Sequence, residues 1–128
     1  MKVLTIREPW ASLVIEGYKE YEFRSWKTSY RGKILIHAGL NVEKDVLDRF
    51  KDYPLDIKKG MIIGEAILTD CIKVTPIFQE KLEKKDKTVY GRSKHKNTYG
   101  WKLENVVKYK KPIEAKGKLG LWNFDKKD

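Results

Sequence analysis

Apolar and polar positions along the chain fall into short runs whose spacing changes several times. Residues 2–6 (KVLTI) form a compact apolar run that predicts a strand ending near Arg7. Beyond it, Trp10, Ala11, Val14, Ile15 and Tyr18 recur at helical spacing, with Pro9 suited to the first turn and Gly17 to the stop. Residues 19–26 (KEYEFRSW) then switch to period two. Lys19, Tyr21 and Phe23 alternate with Glu20, Glu22 and Arg24, as in a half-buried strand. A turn at 29–32 leads to a second apolar strand over 33–38 (KILIHA).

In the second half, Val42, Val46, Leu47 and Phe50 return to helical spacing behind Asn41 as a plausible N-cap. The Lys58-Lys59-Gly60 turn precedes a long apolar strand over 61–71, where Gly64 marks a bulge or a close backbone approach. A short helical turn is expected over 76–82, followed by a charged, loop-like and mobile stretch over 83–98. Residues 99–109 alternate again as a strand, a Lys116-Gly117-Lys118 turn follows, and 119–124 form a closing strand before a frayed tail at 126–128. No repeat or linker divides the chain, so it reads as a single domain over residues 1–128. About six strands and a few short helices predict an α+β fold: a small β-barrel flanked by short α-helices.

Charge narrows the function. Lys and Arg number 28 against 18 Asp and Glu, a net +10, which favours a polyanionic partner. Four Trp, seven Tyr and four Phe argue for a packed core and against disorder. Cys71 is the only cysteine and forms no internal disulfide, which fits a cytoplasmic protein. Cys71, His37 and His95 are too few for a metal site, and no glycine-rich phosphate loop implies a cofactor. The N-terminus lacks the apolar stretch of a signal peptide, and no run approaches the ~20 apolar residues of a membrane span.

Two constellations could carry function. One is the segment 8–32, with Trp10 at a helix start and Lys19, Glu22, Arg24, Trp26 and Arg31 behind it. On a regular strand Lys19 would face away from Glu22 and Arg24; a bulge after the helix would bring all three to one cleft. The other is the cation-rich run 81–111, which includes Arg92, Lys94, Lys96 and Lys102 with Tyr90, Tyr99 and Trp101 between them. Read functionally, it is a phosphate-tracking stripe with stacking aromatics; read plainly, it is a solvated loop. Trp122 reads as core, and His37 at a strand end reads as a structural histidine with a possible cleft role.

The segment REPWASLVIEGYKEYEFRSWKTSYRGKILIHA resembles the ASCH family (activating signal cointegrator homology domain), whose fold is PUA-like. The matching positions are Pro9-Trp10, Gly17, Lys19, Glu22, Arg24, Trp26, Arg31-Gly32 and His37-Ala38. Later matches are Gly64-Glu65-Ala66 with Asp70-Cys71, and Tyr99-Gly100-Trp101 with Pro112 and Gly120-Leu121-Trp122.

The resemblance implies a six-stranded barrel whose cleft, beside the first helix, binds RNA or a modified base through Lys19, Glu22 and Arg24. Trp10, Trp26, Arg31, His37, Tyr99, Trp101 and Lys102 are the further candidates for that interface. The expected partner is single-stranded RNA or a nucleoside or nucleotide, with an acidic protein as the alternative. A bacterial branch of the family resembles amidohydrolases acting on N4-acetylcytidine through a Lys-Thr-Glu set. Lys19 matches its lysine, Glu22 stands where its threonine would be, and Glu65 is a candidate carboxylate. A ribonuclease using the same cleft is a further enzymatic alternative.

Overall fold

A computed structural model describes residues 1–91 and 98–125. The chain runs β1 (Lys2–Glu8), α1 (Trp10–Ile15), β2 (Tyr21–Arg24), β3 (Gly32–Val42), α2 (Lys44–Arg49) and β4 (Met61–Lys73). It continues through α3 (Pro76–Lys85), α4 (Lys87–Tyr90), β5 (Tyr99–Glu114) and β6 (Leu121–Asn123). The six strands form one sheet in the order β2-β5-β4-β3-β1-β6. Only β1 and β3 run parallel; the other neighbours are antiparallel. The α+β class is as expected.

The expected barrel does not close. β2 and β6 are the edges of the sheet and pair only with β5 and β1. With four and three residues, they are too short to supply a closing ladder. β6 covers only Lys2–Leu4 of β1, so the pairing with β6 stops before Thr5.

α1 is short because it has to be buried. Ala11 through Ile15 are all buried, and α1 touches β1 through β5. Its apolar side chains pack with Leu4, Ile6, Ile34, Ile36, Leu68 and Trp101 in the main core. Gly64 of β4 makes this possible. A Cβ there would lie 2.3 Å from the Val107 carbonyl oxygen and 2.7 Å from Ile15, so only glycine lets β5 and α1 approach so closely.

Several boundaries differ from the sequence reading. β3 runs to Val42, so Asn41 lies in the strand and Glu43 occupies the N-cap of α2. The stretch after residue 82 is not all loop: α3 extends to Lys85, and α4 follows. Thr75 and Asp86 cap these helices by accepting from the Phe78 and Val89 amides. The Tyr90 hydroxyl oxygen accepts from the amides of Glu20 and Tyr21, which fixes α4 against the start of β2. Residues 92–97 of the expected mobile stretch, and the tail at 126–128, lie outside the described residues. β5 passes through Pro112 to Glu114, which is tolerated because β2 covers only its first four residues. Among the described residues no helix is long and apolar enough to cross a membrane.

Candidate functional site

The site begins at the C-terminus of α1. Gly17, at φ +86°, takes the left-handed position after the helix. Its amide bonds the Val14 carbonyl, while the Tyr18 and Lys19 amides both bond the Leu13 carbonyl. This turn folds Lys19 back beneath α1 before β2 begins at Tyr21. The strict alternation of a strand therefore does not apply to Lys19, and it meets Glu22 three residues on.

Lys19 Nζ donates to Glu22 Oε1 at 2.6 Å, and Arg24 Nη2 stands 3.2 Å from Glu22 Oε2. The same Arg24 nitrogen donates to the Thr5 carbonyl at 2.6 Å. The Lys19 ammonium lies 5.0 Å from the ring centres of both Trp10 and Phe23, a cation held between two aromatic faces. Trp10 is itself tethered, its Nε1 donating to Glu43. Lys19 and Glu22 are buried. Burial pushes the Lys19 ammonium below the ordinary lysine range, with Glu22 opposing. Burial pushes the Glu22 carboxyl up, but Lys19 and Arg24 together outweigh it and hold the group below its usual range.

These residues form the inner wall of a cavity of about 750 Å³, within the usual size of small-molecule sites. Arg7, Lys116 and Lys118 line it as well, so five cations face two carboxylates, Glu22 and Glu43. Leu40 and Leu119 stand on the same lining and are strongly exposed. Two buried polar atoms of lining residues, Arg24 Nε and Thr98 Oγ1, have no hydrogen-bond partner among the described residues. Such groups cost about 1–3 kcal/mol each unless a ligand or water satisfies them.

Of the interface candidates, Trp10, Lys19, Glu22, Arg24 and His37 meet at this cavity. His37 is buried, with Nε2 on the Ala115 carbonyl at 2.7 Å and Nδ1 on the Thr5 hydroxyl at 3.2 Å. The other five do not line it. Trp101 is fully buried in the core; Trp26 meets it edge-on at 4.7 Å and accepts its indole N–H. Tyr99 packs on the same core. Arg31 bonds the Thr28 and Tyr30 carbonyls and faces Asp70. Lys102 lies between Glu20 and Glu104.

Glu65 is also elsewhere. It accepts from Tyr109 at 2.9 Å and pairs with Lys33 at 3.3 Å. Burial, with Glu65 accepting the hydroxyl proton, pushes the Tyr109 phenol up to about 12.

None of the described cations of the run 81–111 lines the cleft. Lys84, Lys85, Lys102 and Lys108 pair with Glu80, Glu20, Glu20 and Glu16, while Arg92, Lys94 and Lys96 lie outside the described residues. The cleft's outer cations come instead from β1 and from the segment between β5 and β6. Their one signal in the sequence is Lys116-Gly117-Lys118, which has the look of an ordinary turn.

A model of the ASCH domain matches residues 4–113. Activating signal cointegrator 1 of Homo sapiens is 29% identical over 136 residues, covering 97% of this chain and 22% of that protein. The Mus musculus protein of the same name is 29% identical over 140 residues with the same coverage. The chain thus spans about a fifth of the length of these relatives. Among solved structures, an ASCH protein from Zymomonas mobilis superposes with a TM-score of 0.56 at 16% identity, over 88% of this chain and 72% of the other. That likeness speaks for the fold.

Proposed function

Since the chain belongs to the ASCH domain family, we propose that it is a nucleic-acid-binding module, with RNA as its target, that takes its ligand in the cleft beside α1. The observation that carries this reading is the composition of the cavity wall: five cations against two carboxylates, with Trp10 and Phe23 on the same lining. Cations attract phosphates, and aromatic rings accept unstacked bases of any sequence. A cavity of this size suits one nucleotide unit rather than a helix.

The test is a fluorescence binding screen over short single-stranded RNA, single-stranded DNA and nucleosides at two salt concentrations. The reading predicts tighter binding to RNA, falling steeply with salt, and weakened by Arg7→Ala. No binding at low salt contradicts it and favours an acidic protein partner instead.

A second reading rests on Lys19, a buried lysine whose ammonium is destabilised, as in lysines that act as bases or nucleophiles. It would make the protein a hydrolase of a modified nucleoside such as N4-acetylcytidine, or a ribonuclease. Against it stands Glu22, which occupies the threonine position and holds Lys19, while Glu65 is engaged outside the cleft. Incubation with acetylated cytidine and with RNA, followed by product analysis, decides: turnover abolished by Lys19→Ala supports the enzyme.

A further inference from the structure

The cations of the cleft are not equivalent. Lys19 and Arg24 already share Glu22, so a ligand phosphate placed there meets a carboxylate. Arg7, Lys116 and Lys118 have no ion pair among the described residues. Their charge faces solvent at the outer part of the same cavity.

Two of the three sit on the strap 115–120, which joins β5 to β6 across the cleft. Burial alternates along it: Ala115 and Gly117 are half-buried, Lys116 and Lys118 exposed. The inward residues rest on His37, whose Nε2 faces the Ala115 carbonyl. A carbonyl only accepts, so Nε2 carries a proton. In the neutral ring Nδ1 then accepts from the Thr5 hydroxyl, which accepts in turn from Trp122 Nε1 at 3.0 Å. Gly117 lies so close that a Cβ would come 2.9 Å from His37 Cε1 and 3.1 Å from Thr5 Oγ1. The strap is therefore pinned to a floor of fixed orientation; Lys116 and Lys118 are its exposed cations, the Lys118 ammonium lying 5.9 Å from the Trp122 ring centre.

We infer that this pinned strap is a phosphate-binding element, in which Lys116 and Lys118, with Arg7 on the same lining, receive the phosphate of a nucleotide whose base enters the cavity. The inference rests on the nucleic-acid reading of the same cleft and sharpens it: the ligand is a phosphorylated unit of a strand, not a free nucleoside. Fixed point charges suit this role, because lysine holds phosphate without needing the paired geometry of arginine. His37 acts as a positioning residue through the strap.

The experiment measures affinity for a short single-stranded RNA across a salt series, with the corresponding nucleoside as a control. It compares the wild type with Lys116→Ala/Lys118→Ala and with Gly117→Ala, which keeps both charges but displaces the strap. The salt slope for single strands is about 0.7 per phosphate contact, so the double variant should lose about 1.4 from it. Gly117→Ala should shift the slope in the same direction at unchanged charge. If Gly117→Ala does not fold, the double variant, altered only at exposed positions, decides alone. A double variant that keeps the wild-type slope overturns the strap assignment and leaves the nucleic-acid reading standing. Equal affinity of the wild type for nucleoside and strand also overturns it. A wild type that binds no RNA at low salt removes both.

Discussion

Arg24 on β2 donates to the Thr5 carbonyl on β1, so a side chain joins one edge of the sheet to a strand beside the opposite edge. It stands where a closing ladder would run in a complete barrel. Both residues line the cleft.

Arg24→Lys keeps the charge but gives up the planar fork that serves both Glu22 and Thr5. It should destabilise the fold by about 1–3 kcal/mol, the cost of leaving buried partners unsatisfied. Urea unfolding measures this; an unchanged midpoint would mean that the tie across the opening contributes nothing.

Glu22→Gln leaves Lys19 without its counter-charge in a buried site. Breaking such a pair costs about 3–5 kcal/mol, whereas Lys19→Met, which leaves Glu22 its Arg24 partner, should cost less. The sign of the pH dependence follows from Glu22 lying below its unfolded value of 4.5. Its contribution is fully present above that value and disappears as pH falls through the folded one. Stability curves of wild type and Glu22→Gln should converge in acid; a gap that persists at the lowest pH contradicts this.

Lys19 should lose its proton below the ordinary value of 10.5, because burial disfavours its charged form. Side-chain NMR of the lysine ammonium groups during an alkaline titration reads this directly. A Lys19 that titrates with the surface lysines would place it in water.

Gly64→Ala drives a methyl into the Val107 carbonyl and Ile15. Overpacking of this kind should cost about 3 kcal/mol, seen as a lowered unfolding midpoint. A variant as stable as wild type would contradict the close approach of β5 and α1.

Tyr109 should ionise only near pH 12, and Glu65→Gln should bring it down towards an ordinary tyrosine by removing the adjacent carboxylate. Ultraviolet titration follows the phenolate. If the substitution leaves the curve unchanged, Glu65 is not held by Tyr109 and is again available elsewhere.

Much of this was legible in the residues. Periodicity located α1 and the centre of each strand, and the need for glycine at residue 64 followed from its place in an apolar run. The Lys19/Glu22/Arg24 group was legible only with the turn at Gly17, since a continuous strand separates Lys19 from the other two. What composition obscured was which cations line the cleft. The run 81–111 is richest in lysine, yet none of its described lysines lines the cleft, and four of them pair with Glu16, Glu20 and Glu80. Lys116 and Lys118 look unremarkable in sequence and face the cleft only because His37, seventy-eight positions before Ala115, holds the strap. Trp101 looked like a stacking platform; its complete burial, edge-on to the exposed Trp26, makes it part of the core instead.

The central claim is that nucleic acid enters the cleft beside α1, and NMR mapping of a short single-stranded RNA tests it most directly. The account predicts shifts at the Trp10 indole N–H and along residues 116–120, with Arg31 and Lys102 unmoved. Shifts confined to Arg31, Lys102 and their neighbours would place the interface outside the cleft and contradict it.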